Sequence, residues 1–261
     1  MTDLVEPYGI ASCDCDDLLV TPGWARRWTA TWRVNGAEIV CPVRDMASVP
    51  PGRVEPLRRF AWRTGQRHRP GLQYLVSIGR HHGFESMAEQ RLLLALDFVP
   101  GLLDVYSQPL LLRYGTRAGW RRHVPDFLTV TNGGTTLIDV RPGARITGED
   151  REAFAATAEA ALAVGWCYLV VPGWRAQVMT TIDALSAQRR QLHDPLGVIA
   201  VLLAAVGQRG STVGQLVAGC TMPALGRAFV VHLLWHRRLG VDLALPLTDR
   251  SPIWPAAPAA P

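Results

Sequence analysis

Lysine is absent from this chain of 261 residues, and all 27 of its Lys and Arg positions are arginine. That absence excludes a Walker A phosphate loop and every Schiff-base mechanism, since both need a lysine amine. HExxH and GxSxG are missing too, which removes the zincin and α/β-hydrolase nucleophile classes. Cysteine is sparse: the five present (Cys13, Cys15, Cys41, Cys167 and Cys220) are an odd number without a CxxC pair, and no signal peptide precedes them. A reducing, cytoplasmic setting is the expectation. The most apolar run, Leu196 to Val206, is about half of the roughly 20 residues that cross a bilayer, so no membrane span is expected.

What the chain does have is apolar residues, 48% of the total, enough for a buried core without staples, and a formal charge of +5 with a pI near 9.3. The arginine excess fits either a phosphate-binding surface or the compositional habit of a GC-rich genome.

The first 25 residues show no periodicity and read as an irregular lead-in. Trp28, Ala30, Trp32 and Val34 alternate with polar residues up to Asn35-Gly36, with Ile39-Val40 beyond, which predicts a hairpin with a type I′ turn. Residues 47–73 set Arg53, Arg58, Arg59, Arg63, Arg67 and Arg69 among Pro50, Pro51, Pro56 and Pro70, with Phe60 and Trp62 between. Interleaved arginines and rings suit a nucleic-acid strand, but a solvated loop that packs its two aromatics has the same composition. Ser86 with Glu89 three residues later is a capping box opening a helix to Asp97. Three strands are predicted next, Val105–Tyr114, His123–Val130 and Thr135–Arg141, then a helix Glu149–Val164 and a buried strand Cys167–Val171. A linking helix around Val178–Gln191 leads to a boundary at Asp194-Pro195.

A two-residue Asn132-Gly133 turn sets Thr131 opposite Gly134 and, counting back, Asp126 opposite Asp139. Alternation then gives Asp139 and Arg141 one face of their strand. Two opposed carboxylates repel unless a cation lies between them, and hard oxygen donors suit Mg²⁺ or Mn²⁺, ions that also bind phosphate oxygens. The competing explanation is local: Asp126 caps a strand entry and Asp139 pairs with Arg141 on the surface. A three-residue turn would shift the register by one and leave the two acids diagonal.

Glu89 on a helix, Pro125-Asp126, then Asp139-Val140-Arg141 resembles the PD-(D/E)XK nuclease pattern in letters and in element order. More narrowly, Phe84-Glu85-Ser86 with Glu89, Leu96-Asp97-Phe98, Gln108-Pro109, Pro125-Asp126-Phe127 and Asp139-Val140-Arg141-Pro142 resemble TnsA-like endonuclease subunits of heteromeric transposases, in their actinobacterial branch. The likeness runs from about Arg58 through Val171, with weaker echoes at His232-Leu233-Leu234-Trp235 and Asp242-Leu243. It implies an α/β, restriction-endonuclease-like core (helix, three-stranded meander, helix, strand) at about 79–172. That core sits within a nuclease domain 1–193 that opens with the hairpin, and a small helical domain follows at 194–261. It also implies Mg²⁺ (with Mn²⁺ able to substitute) on Glu89, Asp126 and Asp139, and hydrolysis of duplex DNA at transposon ends to a 5′-phosphate and a 3′-hydroxyl. A partner transposase subunit and an ATP-using regulator would work alongside. The three carboxylates are expected to converge within metal-bridging reach. Glu85 precedes the Ser86 cap and is the weaker candidate for the helix acid. Arg141 stands where the wider superfamily has lysine; always protonated, it cannot take a proton from water but can hold a phosphate.

Leu196–Val206, Val213–Val217 and Ala224–Leu239 predict three helices, with Val241–Leu247 as a wing strand, an arrangement compatible with a winged helix. His232, His236, Arg237 and Arg238 point to DNA or to a docked partner. Trp254 through Pro261, rich in Pro and Ala, reads as a disordered end. Two alternatives stand beside the transposase reading: a restriction or junction-resolving nuclease using the same acids, and a non-catalytic assembly subunit in which Arg141 marks lost chemistry.

Overall fold

The computed structural model describes residues 1–58, 70–207 and 210–256. Arg59, Phe60, Trp62, Arg63, Arg67 and Arg69 of the basic connection, and the ending from Ala257, lie outside the described residues. The fold is mixed α/β, with several antiparallel pairings. Two compact units divide it, Met1–Gly173 and Trp174–Pro261, so the division falls ahead of the predicted linking helix rather than at Asp194-Pro195. Among the described residues no helix is long and apolar enough to cross a membrane, and all five cysteines are free thiols.

Unit 1 begins with α1 (Trp24–Arg27) and the hairpin β1 (Thr29–Val34) and β2 (Ala37–Pro42). Asn35 and Gly36 take φ of 51° and 78°, the left-handed pair that a type I′ turn requires, and Val34 lies opposite Ala37 as the Asn-Gly signal predicts. Next come β3 (Val54–Glu55), β4 (Gly71–Leu75), β5 (Arg80–Phe84), α2 (Met87–Phe98), β6 (Leu102–Ser107), β7 (Leu110–Thr116), β8 (Gly119–His123), β9 (Phe127–Thr131), β10 (Gly134–Val140), α3 (Gly148–Leu162) and β11 (Cys167–Val171).

The predicted three-strand meander is a five-strand path. The expected strand Val105–Tyr114 breaks at Gln108-Pro109, and His123–Val130 breaks at Val124-Pro125-Asp126. Between these breaks β7 and β8 leave the core sheet and join the hairpin, in the order β2-β1-β7-β8 with β3 alongside β1. The core sheet has the order β11-β10-β9-β6, antiparallel except for the β10–β11 pair. Proline explains both breaks, since it lacks the ladder's N–H. Gln108, forced to φ 46°, turns the chain out, and its N–H donates to the Asp126 carbonyl at 2.7 Å, so the excursion leaves and returns at one point.

The unit's main apolar cluster takes Trp28 from the end of α1, Ala30 and Trp32 from β1, Leu110, Leu112 and Tyr114 from β7, and the alanine face of α3 at Ala153, Ala156 and Ala160. Small side chains let α3 approach closely. Trp32, wholly buried, meets Trp166 edge to face at 6.4 Å between centroids. The two-stranded β4–β5 hairpin, which periodicity alone does not flag, packs on α2.

Unit 2 contains α4 (Val178–Ser186), α5 (Val198–Val206), β12 (Ser211–Thr212), α6 (Val213–Ala218), α7 (Pro223–Trp235), β13 (Leu239–Gly240) and β14 (Pro252–Pro255). Helix α7 is the hub, packing on α4, α5 and α6. Asp194 accepts the Val198 and Ile199 N–H groups at 2.8 and 2.9 Å, which starts α5 two residues later than the apolar run suggests. The predicted strand Val241–Leu247 does not form. Asp242 turns the chain by accepting from Ala244 N–H at 2.8 Å, and Pro246 has no N–H to offer a ladder. The sheet is instead β12-β14-β13. Trp254 and Pro255, read from composition as disordered, belong to β14 because Ile253 beside them is buried.

Replacing Trp32 with Ala is expected to cost unit 1 about 3–5 kcal/mol through the cavity left behind, read by urea unfolding followed by circular dichroism. A cost below about 1 kcal/mol would show that the cluster does not organise the unit.

Candidate functional site

The register of β9 on β10 pairs Gly134 with Thr131 and Ile138 with Phe127. One step further along both strands sets Asp126 across from Asp139, as the two-residue turn predicts. Asp139 is 3% exposed on β10, and Asp126 closes the loop that enters β9. Asp126 Oδ2 accepts the Val140 N–H at 2.7 Å, a contact that fixes the carboxylate against the end of β10.

Glu89 lies in the first turn of α2, 8% exposed. Its carboxylate accepts from Ser86 Oγ and from the Glu85 N–H, both at 2.8 Å, while Ser86 Oγ accepts from the Glu89 N–H at 3.2 Å. The Ser86 cap is therefore formed as predicted, but the Glu89 carboxylate takes the N–H of Glu85 and the Ser86 hydroxyl in place of the Ser86 N–H that a full capping box would use, and these contacts occupy the side chain assigned to a metal.

Burial pushes the Asp126 carboxyl well above the ordinary carboxylate range, and the charges of Asp139 and Glu89 push it further, with Glu85 adding to them; the Val140 N–H works the other way. The three predicted acids thus share one electrostatic neighbourhood. They do not close into a ligand sphere: among the described residues no group of three His, Cys, Asp or Glu side chains stands where it could hold a metal ion. The donor set still fits a hard divalent cation, because the carboxylates crowd one another and a cation is what would relieve Asp126.

Asp139 is held by two groups. His123 Nε2 lies 2.9 and 3.0 Å from its two oxygens, and Tyr168 Oη donates to Oδ2 at 2.6 Å. Burial alone would lower the His123 imidazole, but the charge and hydrogen bond of Asp139, with Asp150 beyond, raise it above its usual value. Burial raises the Tyr168 phenol, and Asp139 and Asp126 raise it further. The sequence alone reads His123 as a lone histidine and offers no signal for Tyr168. The one available clue for His123 is its place three residues before Asp126.

Arg141 follows the last residue of β10, Val140, and its guanidinium pairs with Asp150 in the first turn of α3, Nε to Oδ2 3.3 Å. Burial would raise Asp150, but hydrogen bonds from Thr147 and the charge of Arg141 outweigh it and hold that carboxyl below its usual value. Gln108, 4% exposed, sits at the same end of the sheet with no hydrogen-bond partner for Oε1 among the described residues.

Compared with known proteins, the chain matches no protein-family profile and no curated protein.

A raised carboxyl binds its proton more tightly in the folded state, so Asp126 favours folding at low pH and opposes it once pH rises through its folded value. Asp126→Asn, which keeps an acceptor for the Val140 N–H, is therefore expected to melt higher than wild type at pH 8 in EDTA. The difference should vanish near pH 4, where an unfolded aspartate also takes up its proton. A variant that melts lower at pH 8 would mean the Asp126 charge is already compensated.

Proposed function

We propose that this chain is a metal-dependent DNA endonuclease of the PD-(D/E)XK kind, and more narrowly the TnsA-like nuclease subunit of a heteromeric transposase. The observation that carries the reading is the element order α2, β6, β9, β10, α3, β11 around one sheet, with Asp126 and Asp139 opposed at its end and the charge of Glu89 acting on Asp126. It is the order that the resemblance implies, recovered once the β7–β8 excursion is set aside.

Asp126, Asp139 and Glu89 would hold Mg²⁺ or Mn²⁺, which supplies Lewis-acid activation of the phosphate and of water. The chain's own groups do the rest. His123 and Tyr168 fix the orientation of the Asp139 carboxylate. Arg141, released from Asp150, offers a planar fork to a phosphate and stabilises the charge that develops on it during in-line attack. The substrate is duplex DNA at the element's ends, with a partner transposase and an ATP-using regulator as co-workers; α7 and its surroundings in unit 2 are the docking module for them.

The second reading, a non-catalytic assembly subunit, is favoured by the engagement of Arg141 with Asp150 and by the lack of a three-residue ligand group among the described residues.

With the partner proteins present, wild type is expected to nick transposon-end DNA in Mg²⁺ or Mn²⁺. Asp126→Ala should abolish nicking, and Arg141→Ala should slow it by about 10²-fold, the effect of removing one preorganised donor. Intact DNA binding without cutting under any metal condition would establish the assembly-subunit reading instead.

A further inference from the structure

The outer face of the β7–β8 hairpin carries positive charge that no carboxylate among the described residues pairs with. Arg113 on β7 lies directly opposite Arg122 on β8. Directly opposed residues share a face with Cβ atoms about 4.5–5.5 Å apart, where like charges destabilise the pair. On the same face the Arg113 guanidinium lies over the Trp120 ring, Cζ 4.1 Å from the centroid, and the indole stays 49% exposed. Among the described residues none of Arg113, Arg121 and Arg122 forms an ion pair with a carboxylate.

Charge on an edge strand commonly serves to block edge-to-edge pairing. That function explains Arg122 on the edge strand β8, but Arg113 stands on β7, which is paired on both sides by β1 and β8. An anion seated between the two guanidinium groups would relieve the repulsion across the β7–β8 ladder. Each guanidinium presents a planar fork of donors that matches a phosphate.

The position of the pair says which phosphate. β8 runs through exposed Arg121 and Arg122 straight into His123, whose ring is bonded to Asp139, and Asp126 follows three residues later. From Arg122 to Asp126 the backbone spans at most about 14 Å, roughly four steps of about 3.4 Å along one DNA strand.

We propose that Arg113, Arg122 and Trp120 form a rail for the phosphate backbone of duplex DNA, leading it to the Asp126–Asp139 end of the core sheet. The rail rests on the nuclease reading for its destination and is tested apart from it.

Full-length protein is titrated against a labelled duplex by fluorescence anisotropy in EDTA over a range of NaCl, for wild type, Arg113→Ala, Arg122→Ala and, as a control for charge lost elsewhere, Arg26→Ala. Arg122→Ala and Arg113→Ala should each weaken binding and flatten the slope of log K against log salt by about 0.9, the value for one lost phosphate contact. Arg26→Ala should leave the slope unchanged. The melting temperature of Arg122→Ala should equal or exceed that of wild type, because a repulsion has been removed. An unchanged slope in both rail variants overturns the proposal, as does failure of wild type to bind duplex. So does displacement by polyglutamate with the same dependence on Arg122, which would assign the face to an acidic protein. Nicking in Mg²⁺ is read separately for the same variants, so a rail without cutting and cutting without a rail are distinct results.

Discussion

The hydrogen-bonded pair of His123 and Asp139 joins the hairpin sheet of unit 1 to its core sheet. His123 ends the last strand of the hairpin sheet, Asp139 lies in the core sheet, and both are largely enclosed. An ionised carboxylate in such a place needs a partner, because water is no longer there to solvate it. His123 and Tyr168 fill that role, and in doing so they bring together β8, β10 and β11. Remove the imidazole and Asp139 faces Asp126 with one donor fewer, so the packing of the sheets and the charge state of the acidic end are one problem.

Much of the local architecture was legible because its causes are local. Asn35-Gly36 dictates a turn, Ser86 with Glu89 dictates a helix start, and the count from Thr131 and Gly134 dictates the opposition of Asp126 and Asp139. Each needs only a few consecutive residues. The division of Val105–Tyr114 between two sheets was not legible, since apolar residues stand on both sides of Gln108-Pro109 and the choice of sheet depends on partners far along the chain. Proline at 109 and at 125 was the available warning.

Side-chain destinations were harder still. Arg141 reads as facing the acids of β10, and its guanidinium meets a carboxylate of the following helix instead. Its partner Asp150 belongs to a capping box that the sequence shows but does not aim. Tyr168 reaches Asp139 across a parallel pair separated by a whole helix, a contact set by the fold and not by spacing. In unit 2 the turn at Asp242 replaces a strand that hydropathy favours, a case of side-chain to backbone bonding outcompeting a ladder.

The hydrogen bond from Gln108 N–H to the Asp126 carbonyl closes the seventeen intervening residues into a loop whose ends touch. To the core sheet that segment is a parenthesis opened and closed at one backbone contact, from which His123 reaches back to Asp139. The segment can therefore vary in length at the β7–β8 turn, but the residues that return through His123 must keep their place beside Asp139.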